Sequence, residues 1–176
     1  TGHTPQAFSL QPAACSLQQK RSASPLELAL HGTHYAADCL FSQVSSDLLK
    51  KYLMELPFGF TASEGYEKAL LYIFNFFNSI GINTRYHPYI HYKTIVYAVE
   101  NNQFKEITVQ NHYRNVIATL PGNKPEKIYL TAHFDTCDSY PGANDNHSGI
   151  ACLLEMARIL SHYQLNLTIV FVAFSG

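Results

Sequence analysis

The chain has 176 residues, of which 47% are hydrophobic and only 14% charged, and a formal net charge of -1. So apolar a composition argues against a disordered chain, and the absence of any Lys/Arg cluster argues against nucleic acid or an anionic membrane surface as partner. Apolar runs such as Leu167–Phe174 are far too short to span a bilayer, so the expectation is a soluble chain with one buried core.

Residues 1–25 are rich in Gln, Ser, Ala and Pro and show no sustained period, which reads as a flexible leader or pro-segment remnant. The chain opens on Thr1 with no charged and apolar segments in succession, so no signal peptide is read. Cys15, Cys39, Cys137 and Cys152 lack CxxC spacing, and their pairing stays open between disulfides and buried free thiols.

From Ser42 the pattern becomes regular. Val44, Leu48, Leu49, Tyr52, Leu53 and Leu56 fall on one helical stripe that Pro57 and Gly59 end. A second helix is predicted from Thr61 and Glu64, at capping-box spacing, through Leu70, Ile73, Phe74, Phe77 and Ile80 to a stop at Gly81. The runs at 84–90 and 93–99 predict a hairpin or edge pair, and Asn115–Leu120 a third strand closed by Pro121-Gly122.

The last third predicts a strand over Ile128–Ala132, a Gly- and Asp-rich loop, a helix from about Ser148 to Tyr163, and a strand over Thr168–Phe174. The last strand is apolar at nearly every residue, as in a parallel strand buried on both faces. A right-handed crossover would then set both C-terminal strand ends on one sheet edge, where open α/β sheets bind ligands. An uncovered outer edge on Thr168–Phe174 would favour association of the chain.

Chemistry is expected at that edge. In extended backbone, residues two apart face the same way, so His133 and Asp135 of His133-Phe134-Asp135 can share the cleft. One imidazole nitrogen can then bind a metal while Asp135 holds the other and sets the tautomer. Within Pro141-Gly142-Ala143-Asn144-Asp145-Asn146-His147-Ser148-Gly149, Asp145 stands just before a helix, and its two oxygens suit it to bridge a pair of divalent cations. Asn146 and Ser148 read instead as helix-capping residues. His87, His91 and His112 read as surface residues, Cys137 as buried, and His147 as facing solvent or lining the substrate entrance.

Taken in order, NVIATLPG, YLTAHFDTC, PGANDNHSGIACLLEMARIL and TIVFVAFSG resemble metallopeptidase family 28, the zinc aminopeptidases of the bacterial leucyl aminopeptidase and aminopeptidase Y type, over about residues 113–176. The resemblance implies an α/β fold, a three-layer αβα sandwich with a mixed sheet of the zinc exopeptidase (phosphorylase/hydrolase-like) type, incomplete at its C-terminus, with residues 26–176 as its N-terminal part. It implies two zinc ions, with His133 on one, Asp145 bridging both and Asp135 orienting His133. The family's general base and second ligand, Glu-Glu, would follow Gly176 and be absent from these 176 residues, as would a later Asp and His. The implied substrate is a peptide or protein with a free N-terminus, and the implied setting secreted or periplasmic. The expectation is an aminopeptidase when intact and a chain that alone is inactive and binds zinc weakly. The rivals are a glutaminyl-cyclase-like acyltransferase using a single zinc and a catalytically inactive binding domain.

Overall fold

The computed structural model describes residues 40–60, 63–99, 103–137 and 140–175. The leader at 1–25, Cys15, Cys39 and Thr61 lie outside the described residues. Three helices, α1 (Ser46–Glu55), α2 (Glu64–Ser79) and α3 (Ser148–Leu160), accompany four strands: β1 (Asn83–Val99), β2 (Gln103–Leu120), β3 (Gly122–His133) and β4 (Leu165–Phe174). Among these residues no helix is long and apolar enough to cross a membrane.

Helix starts follow local hydrogen-bonding chemistry. Ser45 caps α1 by accepting from the Leu48 amide, and Ser63 caps α2 by accepting from the Tyr66 amide. Ser63, rather than Thr61, is therefore the cap of α2. Gly81 ends that helix at φ 75°, the left-handed position where a Cβ is disfavoured. α3 ends at Leu160, three residues before the expected Tyr163.

The sheet order is β1-β2-β4-β3. β1 pairs antiparallel with β2 from Asn83↔Thr119 to Val99↔Gln103, and β3 pairs parallel with β4, with His133 opposite Phe174. Two expectations change here. The runs at 84–90 and 93–99 form one continuous strand, and Asn115–Leu120 is the end of an 18-residue strand. The intervening polar residues are accommodated because the hairpin's exposed faces tolerate them. β4 also has partners on both sides, since Val116–Leu120 of β2 pairs with Ile169–Ala173. The open edges of the described sheet belong to β1 and β3, so the expected uncovered edge on β4 is corrected.

α2 and α3 pack on one face of the sheet, and α1 packs against α3. Tyr52 and Leu56 from α1, Leu70, Ile73 and Phe77 from α2, and Ile150 and Leu154 from α3 join Val116, Ala118, Phe171 and Ala173 in a single core. Each such fully buried Leu, Ile or Phe contributes about 1.5–3 kcal/mol of transfer free energy. The described residues thus supply the mixed sheet and one helical layer of the expected sandwich. Val170 and Val172 lie on the opposite face and are also buried, which accounts for the unbroken apolar run of β4.

A half-buried ion pair within α3 fastens α1 to it. Glu155 accepts from the Ser45 amide at 2.8 Å and from Arg158 Nε at 2.8 Å, while Arg158 Nη2 donates to the Gln43 carbonyl at 2.7 Å.

Candidate metal centre

β3 and β4 end together, as two parallel strands joined by a crossover helix must. The Phe134 amide donates to the Phe174 carbonyl at 2.9 Å, which carries the pairing one residue past β3. Phe134 is wholly buried against Tyr66, with ring centroids 5.2 Å apart. This inward anchor turns its two neighbours, His133 and Asp135, out to the cleft. The Thr136 amide then donates to the Gly59 carbonyl at 3.2 Å, so the α1–α2 loop supports the segment from its far side.

The Asp145 loop is held from the helix side. Gly142 adopts φ 67°, and a side chain there would stand 2.4 Å from Thr136 Cγ2 and 2.8 Å from the Asp145 carbonyl. A short π-helical turn, Ala143–His147, follows, broken at Asp145 (φ -126°, ψ 93°), and the Asp145–Asn146 peptide bond is cis. Asn146 Oδ1 accepts from the Gly149 amide at 3.1 Å, and Ser148 Oγ donates to the Asn144 carbonyl at 2.8 Å. Asn146 thus meets an amide in the first turn of α3, as the capping reading expects, whereas Ser148 is the first residue of that helix and donates back to the preceding turn instead of capping an amide.

The two loops bring the three acid and imidazole groups together. His133 Nε2 lies 3.0 Å from Asp145 Oδ1. On the other side of the ring, Nδ1 lies 3.3 Å from the Asp135 carbonyl oxygen and 3.5 Å from its carboxylate. Asp145 is 88% exposed at its side chain, Asp135 only 23%. Asp145 thus presents a free carboxylate, while Asp135 sits behind the ring.

This donor set fits a divalent cation. With Nδ1–H directed at Asp135, the Nε2 lone pair faces a carboxylate oxygen, and two acceptors at 3.0 Å need a proton or a cation between them. Two donors on one tetrahedral zinc, with bonds near 2.0–2.1 Å, stand about 3.3 Å apart. Among the described residues no group of three or more His, Cys, Asp or Glu is arranged to hold one metal ion, so His133 and Asp145 could by themselves offer only part of a coordination shell.

Other expectations resolve differently. His147 is 2% exposed and neither faces solvent nor lines an entrance. Burial pushes its imidazole below the ordinary value, against the favourable backbone of Phe134, and nearby His133 pushes the same way. Its Nε2 and Thr136 Oγ1 are buried without a hydrogen-bond partner among the described residues. Cys137 and Cys152 are free and exposed, not buried, because Cys137 follows the last residue packed under the loop and Cys152 lies on the outer face of α3. His87, His91 and His112 are at the surface, as expected. A 590 Å³ groove lies along β1 and β2 beside Glu67 and Arg114, and none of the three candidate residues lines it.

Sequence reasoning passed over two residues that hold this edge. Asn115 Oδ1 accepts from the Ser175 amide at 3.0 Å, and the Tyr89 hydroxyl donates to the Ser175 carbonyl. A lone Asn leading an otherwise apolar strand was the available signal for the first; nothing local marks Tyr89.

Comparison with known proteins finds its similarity in this same part of the chain. Residues 115–176 match the family model of peptidase family M28. A probable zinc metalloprotease of Pyrenophora teres f. teres is 46% identical over 71 residues, which cover 35% of this chain and 15% of that protein. The chain therefore spans a small part of the length of that relative. Among solved structures, the aminopeptidase from Aneurinibacillus sp. strain AM-1 superposes with a TM-score of 0.66 at 15% identity, covering 78% of this chain and 64% of that one. Porphyromonas gingivalis glutaminyl cyclase superposes with a TM-score of 0.58 at 21% identity, covering 76% and 46%. At such identities these two show a shared fold. The C-terminal part of this chain, residues 115–176, is thus similar to peptidase family M28.

Proposed function

We propose that this chain is the N-terminal part of a two-zinc aminopeptidase, in which His133 ligates one ion, Asp145 bridges both and Asp135 orients His133. The observation that carries the proposal is the approach of His133 Nε2 to Asp145 Oδ1 with Asp135 behind the ring. When bound, the zinc pair supplies Lewis acidity for peptide hydrolysis near neutral pH. The protein's own residues prepare the place. Nδ1–H donates to the Asp135 carbonyl with the Asp135 carboxylate 3.5 Å away, which leaves the Nε2 lone pair for coordination and raises its basicity. Phe134 and the Gly59 carbonyl keep both side chains directed at the cleft. The remaining ligands and the carboxylate general base lie, in this proposal, C-terminal to Gly176.

Support comes from the family match and from relatives named as zinc metalloproteases. The test is made on the protein with its C-terminal continuation. Release of the N-terminal residue from an aminoacyl-anilide, abolished by a chelator and restored by zinc, is the expected result. Cyclisation of a peptide with N-terminal Gln, without anilide hydrolysis, would replace the reading by a single-zinc acyltransferase. Neither activity in a zinc-loaded protein would leave a binding domain.

A further inference from the structure

We propose that Tyr89 and Asn115 are positioning residues that fix the direction in which the chain leaves β4 at the metal edge; the proposal rests on the function proposed above. Ser175 is wholly buried, yet its polar groups are all engaged by the β1–β2 hairpin. Asn115 Oδ1 accepts from its amide at 3.0 Å and, at the limit of hydrogen-bond range, from its hydroxyl at 3.5 Å. The Tyr89 hydroxyl donates to its carbonyl. One residue earlier, the Phe174 carbonyl accepts from the Phe134 amide on the β3 side. The end of β4 is thus gripped from both neighbouring strands, directly across from His133.

The two side chains are themselves held in place. The Tyr89 ring stacks on its cross-strand partner Tyr113, with centroids 5.3 Å apart and planes 16° from parallel, and His91 closes edge-on against Tyr113 at 5.8 Å. Asn115 Nδ2 faces His87 Nδ1 at 3.5 Å, which turns Oδ1 toward Ser175. Register explains the reach. β2 runs antiparallel to β4, so the hairpin beyond Asn115 extends past the C-terminal end of β4, on the same edge as His133. Burial raises the Tyr89 phenol above its ordinary value, against the hydrogen bond to Ser175.

A strand end with its amide, hydroxyl and carbonyl all tied to a neighbouring hairpin has one exit direction. Ligands and a general base carried just beyond it would need that direction set to a fraction of an ångström relative to His133 and Asp145. Freed of either tie, the strand would keep its pairing through Ala173 while its exit became loose.

The experiment compares Tyr89→Phe and Asn115→Ala with the zinc-loaded wild-type protein carrying its C-terminal continuation, with Tyr72→Phe as a control. Among the described residues the Tyr72 hydroxyl donates to Glu55, at 3.4 Å on the helical side. Outer-shell partners of metal ligands commonly matter by about 10–100-fold, so Tyr89→Phe should lower kcat on an aminoacyl-anilide about that much. KM should stay within about twofold, zinc affinity should fall, and melting should shift no further than in Tyr72→Phe. Variants of an active wild type that keep its kcat and zinc affinity, even with a lowered Tm, would overturn the positioning role and leave the function standing. A zinc-loaded wild type without hydrolysis would overturn both.

Discussion

His133 closes β3 and Asp145 lies 12 residues on, in the turn before α3, and together they place Nε2 and Oδ1 3.0 Å from each other. In the full-length protein, His133→Ala and Asp145→Ala should each remove at least about 100-fold of kcat/KM, because each leaves a zinc with an incomplete shell. Metal analysis of the purified variants should show fewer than two zinc per chain. Full occupancy with full activity in either variant would dismiss the pair as ligands.

Asp135→Asn should act more gently. The amide can still meet Nδ1, but it lacks the charge that favours the Nδ1–H tautomer and strengthens Nε2 as a donor. Zinc affinity, measured by competition with a chelator, should fall by about 10–100-fold. The variant should melt close to wild type, since Asp135 makes no ion pair other than that with His133 among the described contacts.

These residues were legible because HxD on a strand end and an Asp before a helix start are local patterns, and the alternation of His133, Phe134 and Asp135 fixes their direction. The parallel strand β4 was legible for the same reason: a run apolar at both parities must be buried on both faces. What escaped was nonlocal. The length of β1 and β2 depends on their mutual pairing, which holds polar residues such as Asn111 and Gln110 in extended backbone that propensity alone would leave as loop. The neighbour of β4 is decided by sheet order, and the burial of His147 by the way the loop folds back over Phe134. Tyr89 reaches Ser175 across 86 residues, beyond any sequence window.

The 176-residue chain should bind zinc weakly and show no peptidase activity. His133 and Asp145 give one ion two ligands and a second ion one, short of the three that a catalytic zinc takes from protein. Calorimetric titration should give dissociation far weaker than in the extended protein. Tight, stoichiometric uptake of two ions would contradict this ligand assignment.

Glu155 should carry a measurable share of stability, with a defined pH dependence. Burial opposes its ionisation, but the Arg158 hydrogen bonds, the Ser45 amide and the Arg158 charge outweigh it and hold the carboxyl below its usual range. A carboxyl depressed on folding stabilises the fold above its unfolded value, about 4.3, and loses that contribution as pH falls through the folded value. Glu155→Ala leaves Arg158 half-buried without its partner and should cost about 3–5 kcal/mol at neutral pH. In urea titrations, the gap between wild type and Glu155→Gln should be full at pH 6 to 7 and narrow below about pH 4. A gap independent of pH would show that the carboxylate charge contributes nothing.

Gly142→Ala should separate loop geometry from global stability. The left-handed backbone at φ 67° disfavours a Cβ by about 1–2 kcal/mol. Its new methyl would also meet Thr136 Cγ2 at 2.4 Å and the Asp145 carbonyl at 2.8 Å. The first contact can be relieved by a neighbour's side chain; the second can be relieved only by moving the backbone that carries the bridging carboxylate. Combining Gly142→Ala with Thr136→Ser should therefore recover part of the lost Tm but little of the lost zinc affinity. Recovery of both together would mean that Thr136, and not the position of Asp145, is what the glycine protects.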